Sequence, residues 1–393
     1  MAREDHPVHV LMILESGYPV RGGGGAESQV RTLAAALKRR GHRVTVLTPR
    51  VPNAPQARID RCDGIPVIRL PVPRLRGLAR LVLWARAGAF LLRHGRRYDA
   101  WHAHIAHYLA ALACLLHGRK PILVKVSGWW ELKRGVLAPG AGPLGALARA
   151  ALRRADAVQA ISRRIANELA ARDFSPARIV DLPNAVDTAR FVARTAPAGA
   201  GGLNAIFVGR LVPEKGLDTL LDAWAQALRG RSDARLALVG GGPLEADLRA
   251  RATALGIAGQ VDFLGHREDI ETLLGTADLG LLPSTIEGLS NTLLEYMASG
   301  LPVIASRVSG SEDFVVPGRN GWLFDVDDPG ALASNLADAA HIGAAARRAL
   351  GEQARRDVAA TADVNVVVER LLALYRGARA SGPAYSDLST HGN

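Results

Sequence analysis

The stretch Leu203-Asn-Ala-Ile-Phe-Val-Gly-Arg-Leu-Val-Pro-Glu-Lys-Gly216 decides the fold. Its opening, LNAIFVG, is an apolar run with the length and residue types of a strand buried on both faces. A short turn follows, and Gly216–Leu228 then repeats its apolar residues at helical spacing. The unit recurs downstream. RLALVG (Arg235–Gly240) leads into a helix over Leu244–Leu255, and VDFLG (Val261–Gly265), LGLLP (Leu279–Pro283) and PVIAS (Pro302–Ser306) read as further strands. Strands alternating with helices imply a parallel, doubly wound sheet.

Upstream, RTAPAGAGG (Arg194–Gly202) has no period and is rich in Pro, Gly and Ala, as a linker would be. Ahead of it the alternation appears again. VHVLMIL (Val8–Leu14), VTVLT (Val44–Thr48), IPVIRL (Ile65–Leu70), Ala100–His104, Ile122–Ser127, Ala157–Ile161 and Ile179–Leu182 read as strands, with a helix over Ala26–Arg40. The fold class is therefore α/β, with two tandem Rossmann-like doubly wound parallel sheets facing a central cleft. The expected boundaries are a first domain over 1–193, a linker over 194–202 and a second domain over 203–365. A C-terminal helix is expected over 366–380, packing back on the first domain, with a loose tail expected over 381–393.

Composition narrows the function classes. The chain has 393 residues, 48% hydrophobic and 22% charged, enough for ordinary cores and incompatible with a wholly disordered protein. Two cysteines, Cys62 and Cys114, exclude a disulfide framework and fit a reducing, cytoplasmic compartment. MAREDHPVHV lacks the apolar core of a signal peptide, and the most apolar run, Leu78–Leu92, is broken by Arg80 and Arg86. The net charge of +12 is unevenly divided. Residues 1–200 hold 32 Lys+Arg against 13 Asp+Glu, whereas 201–393 hold 17 against 24. Two domains with different partners would divide this way. Nucleic acid is not expected as a partner, because aromatics are 5%, the second half is acidic and no recognition motif is present.

Several strings sit where strands end and helices begin. Gly22–Gly25 is either a flexible turn or a phosphate-approaching loop. Arg210 and Lys215 place two cations near a helix start, where they can neutralise a diphosphate without a metal or are simply solvated. Gly240–Gly242 allow close backbone approach or merely connect strand to helix. In Glu287-Gly-Leu-Ser-Asn-Thr-Leu-Leu-Glu295, a small-residue loop opens a helix. Its N-terminus is a natural anion site, with Glu295 at about the right depth to accept from the vicinal hydroxyls of a sugar, or the two are simply an N-terminal helix carboxylate and an exposed helical Glu.

Glu287 and Glu295, separated by seven residues, resemble the E-x7-E motif of the retaining enzymes of glycosyltransferase family 4, which have the GT-B fold. GGGGAE, PNAVDTARF (Pro183–Phe191), GRLVPEKG, LVGGGPLE, VDFLG, EGLSNTLLEYMASGLPVIAS and PGRNGWLF (Pro317–Phe324) agree in order and spacing. The resemblance implies a metal-independent hexosyltransferase of cell-envelope or exopolysaccharide synthesis. It would move a sugar from a UDP- or GDP-sugar to a glycan or lipid-linked acceptor, with retention and with no cofactor. It further implies that Arg210 and Lys215 bind the diphosphate and stabilise its departing charge. Glu287 would contact the transferred sugar and Glu295 the ribose, and Gly209, Gly241, Gly265, Gly288, Leu289, Ser290, Asn291 and Thr292 would line the donor site. Gly23, Gly24 and Gly25 would close over phosphates or acceptor.

One departure concerns the acceptor side. Where relatives place a His-Gly pair, this chain has Ser127-Gly128. Ser127 can still hydrogen-bond a sugar, and Trp129 and Trp130 are either a stacking wall or packed core residues. His102, His104 and His107 lack an accompanying Cys or carboxylate at ligand spacing, so a metal centre is not expected, and His104 is a candidate for the cleft. Asp325-Val-Asp327 precedes Asp328-Pro329 and reads as a capping turn rather than a metal motif. From Arg69 to Arg97 eight Arg and no acid are interleaved with apolar residues, which is either a solvated Arg-rich face or a surface for anionic lipid on the inner face of the plasma membrane. A sugar-nucleotide epimerase of similar fold is the alternative activity.

Overall fold

The computed structural model describes residues 6–19, 24–50, 56–73, 76–191 and 202–377. In chain order the first part comprises β1 (His9–Ile13), α1 (Gly25–Arg39), β2 (Arg43–Pro49), β3 (Ile59–Cys62), β4 (Ile65–Leu70), α2 (Arg76–His94), β5 (Ala100–Ala103), α3 (Tyr108–Leu116), β6 (Ile122–Val126), α4 (Trp129–Lys133), α5 (Gly142–Leu152), β7 (Ala157–Ala160), α6 (Arg163–Ala170) and β8 (Ile179–Asp181). The second part comprises β9 (Leu203–Val208), α7 (Leu217–Leu228), β10 (Ala234–Val239), α8 (Glu245–Ala254), β11 (Val261–Gly265), α9 (Ile270–Leu274), β12 (Leu279–Leu282), α10 (Asn291–Ala298), β13 (Val303–Ser306), α11 (Ser311–Phe314), β14 (Gly321–Phe324), α12 (Pro329–His341), α13 (Gly343–Ala362) and α14 (Val364–Tyr375).

The chain divides into two units, the first running to Ala185 and resuming at Val364, the second spanning Val186–Asp363. The expected boundary at 193 therefore moves. Val186–Phe191 belong to the second unit, where Val186 N donates to Ala362 O at 2.9 Å and Arg355 donates to Phe191 O. The expected linker falls mostly outside the described residues, and so does the tail beyond 380.

In the first unit the strand order is β3-β4-β2-β1-β5-β6-β7-β8, with only the edge strand β3 antiparallel. Val10, Met12, Val44, Val46 and Leu123 form a core beneath α1 and α14. Helix α14 contributes Val364, Val367, Val368, Leu371 and Leu372, spaced so that one helical face is apolar. In the second unit the order is β11-β10-β9-β12-β13-β14, all parallel. Leu217, Leu220, Leu221, Trp224 and Leu228 of α7 bury against this sheet.

These orders determine where ligands can bind. A doubly wound sheet opens a crevice at the carboxyl ends of the two strands whose connections leave in opposite directions. In the second unit those strands are β9 and β12, and their following loops are Gly209–Gly216 and Pro283–Ser290. In the first unit they are β1 and β5.

Candidate active site

Adjacent pairing of β9 and β12 brings the two loops of the second unit side by side. Thr285 N donates to Glu214 O at 2.9 Å and fastens them. Gly216 caps α7 with φ of +63°, and a Cβ there would lie 2.1 Å from Pro283 O, so the approach admits only glycine. Gly240 has φ of +131° and a Cβ would meet Gly209 O at 1.9 Å, which draws the β10 loop against the β9 loop.

Across this junction Lys215 Nζ donates to Glu287 Oε1. Ser284 Oγ donates to the same oxygen at 3.0 Å, leaving Glu287 Oε2 without a partner among the described residues. The pair is mostly buried, with side chains 19% and 15% exposed. Arg210 is exposed, and its guanidinium has no partner among the described residues. The site therefore presents one free cation, one cation held by a carboxylate, and one free carboxylate oxygen. The loop continues into α10, whose cap Ser290 makes no side-chain capping bond and whose first turn carries no acid. The positive end of that helix is thus uncompensated by a carboxylate.

Glu295 lies one turn into α10, partly exposed, and its carboxylate has no hydrogen-bond partner among the described residues. Burial pushes its carboxyl up to about 7, opposed by the Arg190 guanidinium and reinforced by Glu271. Arg190 is itself held by Glu271, Nη2 to Oε2 at 3.0 Å. Tyr296 accepts from Val208 N at 2.7 Å and locks α10 beneath β9. Sequence reasoning had no role for Ser284, Arg190 or Tyr296 in this site.

The structure places the other expected residues as follows. Gly209, Arg210, Lys215, Gly241, Glu287, Gly288, Ser290, Asn291, Thr292 and Glu295 stand on loops at the carboxyl edge of the second sheet or in the first turns of α10. The Leu289 side chain is buried. Gly265 ends β11, where its O accepts from Gly240 N at 2.7 Å. In the first unit Gly24 caps α1 and Gly25 opens it, while Gly23 lies outside the described residues.

His104 is a correction. It is fully buried, its ring stacks on His102 at 4.0 Å, and both its nitrogens lack partners, so it is a core residue and not a cleft residue. His102 hydrogen-bonds Tyr375 of α14 at 2.7 Å, and burial pushes its pKa down to about 3. Trp129 is only partly exposed, with the Lys133 ammonium 6.0 Å and the Arg164 guanidinium 5.9 Å from its ring; Trp130 is the exposed member of the pair. Asp328 caps α12 by accepting from Ala331 N at 2.8 Å, while Asp325 pairs with Arg307. Among the described residues no cluster of three His, Cys, Asp or Glu could hold a metal ion, and no helix is long and apolar enough to cross a membrane.

Residues 202–341 match the family model described as glycosyl transferases group 1, and residues 23–190 match the one described as glycosyltransferase family 4. A phosphatidyl-myo-inositol mannosyltransferase of Mycobacterium tuberculosis is 30% identical over 324 residues, covering 80% of this chain and 82% of its own. A GDP-mannose-dependent α-(1-6)-phosphatidylinositol monomannoside mannosyltransferase of Mycolicibacterium smegmatis is 34% identical over 213 residues, 49% of this chain and 56% of that enzyme, so the match spans little more than half its length. A sucrose-phosphate synthase from Thermosynechococcus elongatus superposes with a TM-score of 0.76 at 25% identity, covering 94% of this chain and 98% of that one. These relatives are transferases and synthases, and none of them favours the epimerase alternative. The chain belongs to glycosyltransferase family 4 and has the GT-B fold.

Proposed function

We propose that this chain is a retaining hexosyltransferase that takes its sugar from a nucleotide-diphosphate sugar and delivers it to a glycan or lipid-linked acceptor of the cell envelope. The observation that carries the reading is the Lys215–Glu287–Ser284 cluster beside the unpaired Arg210, at the carboxyl edge of β9 and β12. The two cations and the α10 N-terminus take the diphosphate and stabilise the charge that grows as it leaves. Glu287 Oε2 faces the electron-poor sugar carbon of an oxocarbenium-like transition state, and Glu295 holds the ribose diol. The protein supplies position and charge, with no side-chain nucleophile and no metal. GDP-mannose is the first donor to test, because one of the mannosyltransferase relatives is GDP-mannose-dependent, and UDP-glucose is the second.

The basic half supports a membrane-proximal acceptor. Along α2 the exposed residues Leu78, Leu81, Ala85, Ala89 and Leu92 recur at helical spacing, flanked by Arg80, Arg86 and Arg93. Leu81 is 59% and Leu92 68% exposed, so one face of α2 carries apolar side chains into solvent. Each arginine near an anionic surface contributes about 1 kcal/mol, and each buried leucine about 2 kcal/mol. The protein would then lie on the inner face of the plasma membrane.

A thermal-shift panel of GDP, UDP, GDP-mannose and UDP-glucose tests the donor part. Stabilisation by at least one of them supports the reading, and a flat panel removes it. Sedimentation with phosphatidylglycerol vesicles tests the membrane part. Binding lost in Leu81→Glu/Leu92→Glu and absent from phosphatidylcholine vesicles supports it; equal recovery of both proteins removes it.

A further inference from the structure

Two histidines, a lysine and a tyrosine meet in the core of the first unit, where the donor chemistry has no use for them. The register accounts for the grouping. His102 and His104 stand two residues apart along β5 and its continuation, so they share a face of the sheet. Lys125 and Gln159 are direct partners across β6 and β7. The last turn of α14 lies over them. His102 Nδ1 and Tyr375 OH share a hydrogen bond at 2.7 Å, and the rings of His102 and His104 stack at 4.0 Å. His102, His104 and Lys125 are all fully buried. His102 Nε2, both nitrogens of His104 and Lys125 Nζ have no hydrogen-bond partner among the described residues.

A proton on either ring would be a buried charge with no carboxylate against it, which is costly. Burial pushes His102 down to about 3 and His104 well below the ordinary histidine range, and Lys125 adds to both. The Gln159 amide works the other way on His102, but its nitrogen is committed to Leu182 O at 2.9 Å. Burial raises the Tyr375 phenol, so it stays a neutral partner. Glu131 acts on Lys125 from α4 and, pushed up to about 7 by burial, titrates in the opposite sense to the histidines. Its oxygens accept from Ala106 N and from Ser127 N and Oγ, so its bonds are to the loops and not to α14. Nearer its start, α14 is held by Glu369, which pairs with Arg40 of α1 at 2.7 Å, and by Arg370, which donates to Asp181 O at 3.2 Å.

The helix can leave without breaking the sheet. It supplies no strand, and its hold on the core is one apolar face, Val364, Val367, Val368, Leu371 and Leu372, closed at the far end by the Tyr375–His102 bond. We propose that His102, His104 and Tyr375 form an acid-sensitive latch, which releases the C-terminal half of α14 in mild acid while the rest of the first unit stays folded. The sign follows from the depressed histidines. With α14 lifted, each ring takes up a proton near the ordinary value of 6.5, so the seated state is favoured above that value and loses ground below it. Each ring uncovered makes lifting about thirtyfold easier at pH 5 than at pH 7.5, and both together approach a thousandfold. Lys125 works in the same direction above pH 7. The latch does not depend on the transferase reading.

The test is hydrogen exchange read by mass spectrometry on the full chain between pH 7.5 and pH 5, corrected for the intrinsic pH dependence of exchange. Helices α14 and α1, which pack on the same core, are followed separately. Protection of α14 should fall by about thirtyfold or more across that range, while that of α1 changes by less than about threefold. His102→Gln/His104→Met cannot take up the protons and should hold α14 protection within about threefold over the same range. Tyr375→Phe keeps the ring and loses the bond, so it should lower α14 protection at every pH and leave the slope unchanged. Protection of α14 that is flat with pH in the wild type, or that falls in step with α1, overturns the latch. So does a slope that survives in the folded double variant. Should that variant fail to fold, the comparison of α14 with α1 in the wild type and in Tyr375→Phe still decides.

Discussion

Removing Glu287 should have opposite effects on nucleotide binding and on turnover. In the free protein Glu287 holds Lys215, and a diphosphate must take that cation from it or share it. The pair is about four-fifths buried, but one end opens to solvent at the loop edge. Its net worth is therefore about 1 kcal/mol, well below the Coulomb energy of two charges at contact. Glu287→Gln releases that competition and also removes a negative charge beside the phosphates. The affinity for GDP or UDP should rise about fivefold. Turnover should instead fall by about two to three orders of magnitude, the usual cost of losing one charged group aimed at a transition state. Calorimetric titration with the nucleotide and release of nucleotide diphosphate from the nucleotide sugar give the two numbers on one preparation. Nucleotide binding that weakens in step with turnover would refute the reasoning, because Glu287 would then be a structural pillar of the loop.

Three further outcomes follow from the same geometry. Glu295, held near 7, must be ionised to accept two ribose hydroxyls, so the dissociation constant of GDP-mannose or UDP-glucose should rise toward tenfold per pH unit below 7 and flatten above it. The phosphates of these diesters do not titrate there, and Glu295→Gln should abolish the slope; an unchanged slope would move the effect elsewhere. Arg190→Ala removes the cation that opposes the rise of Glu295 and should shift that limb upward in pH, which the same titration series detects. Lys125 is fully buried with Nζ unpartnered, and burial pushes it down to about 7. The unfolded chain binds a proton that the folded one lacks between pH 7 and the ordinary lysine value, so stability rises with pH across that window. Lys125→Met should raise Tm at pH 7.5 by about 5 °C, a gain of roughly 2 kcal/mol, and a fall in Tm would show a partner that the structure does not contain.

Most strands were readable because parallel strands covered on both faces leave continuous β-branched runs. Ile65–Leu70 and Val261–Gly265 coincide with the observed strands to the residue. Edge strand β3 was not readable, since Ile59-Asp-Arg-Cys62 is mostly exposed and alternates neither apolar nor polar. In the candidate site of the second unit, Lys215 and Glu287 stand out in the sequence because loop chemistry there is local. Their mutual contact was not, because it depends on β12 pairing with β9 across a long separation. The acceptor side misled for a related reason. His104 and His107 look equivalent in a string of alternating histidines, but His104 continues the strand's inward face whereas His107 falls past its end. The one legible hint was Glu131, four residues after Ser127 at the spacing that lets a helix carboxylate reach back to the loop before it.

On the proposed function, the second unit grips a nucleotide-diphosphate sugar with Arg210 and Lys215. Calorimetric titration of GDP-mannose and UDP-glucose into the wild type and into Arg210→Ala/Lys215→Ala tests it most directly. Saturable binding of at least one donor to the wild type is expected, with a loss of about a hundredfold or more in the double variant, from two charge-assisted contacts of about 1.5 kcal/mol each. Binding of the same donor with equal affinity to both proteins would contradict it.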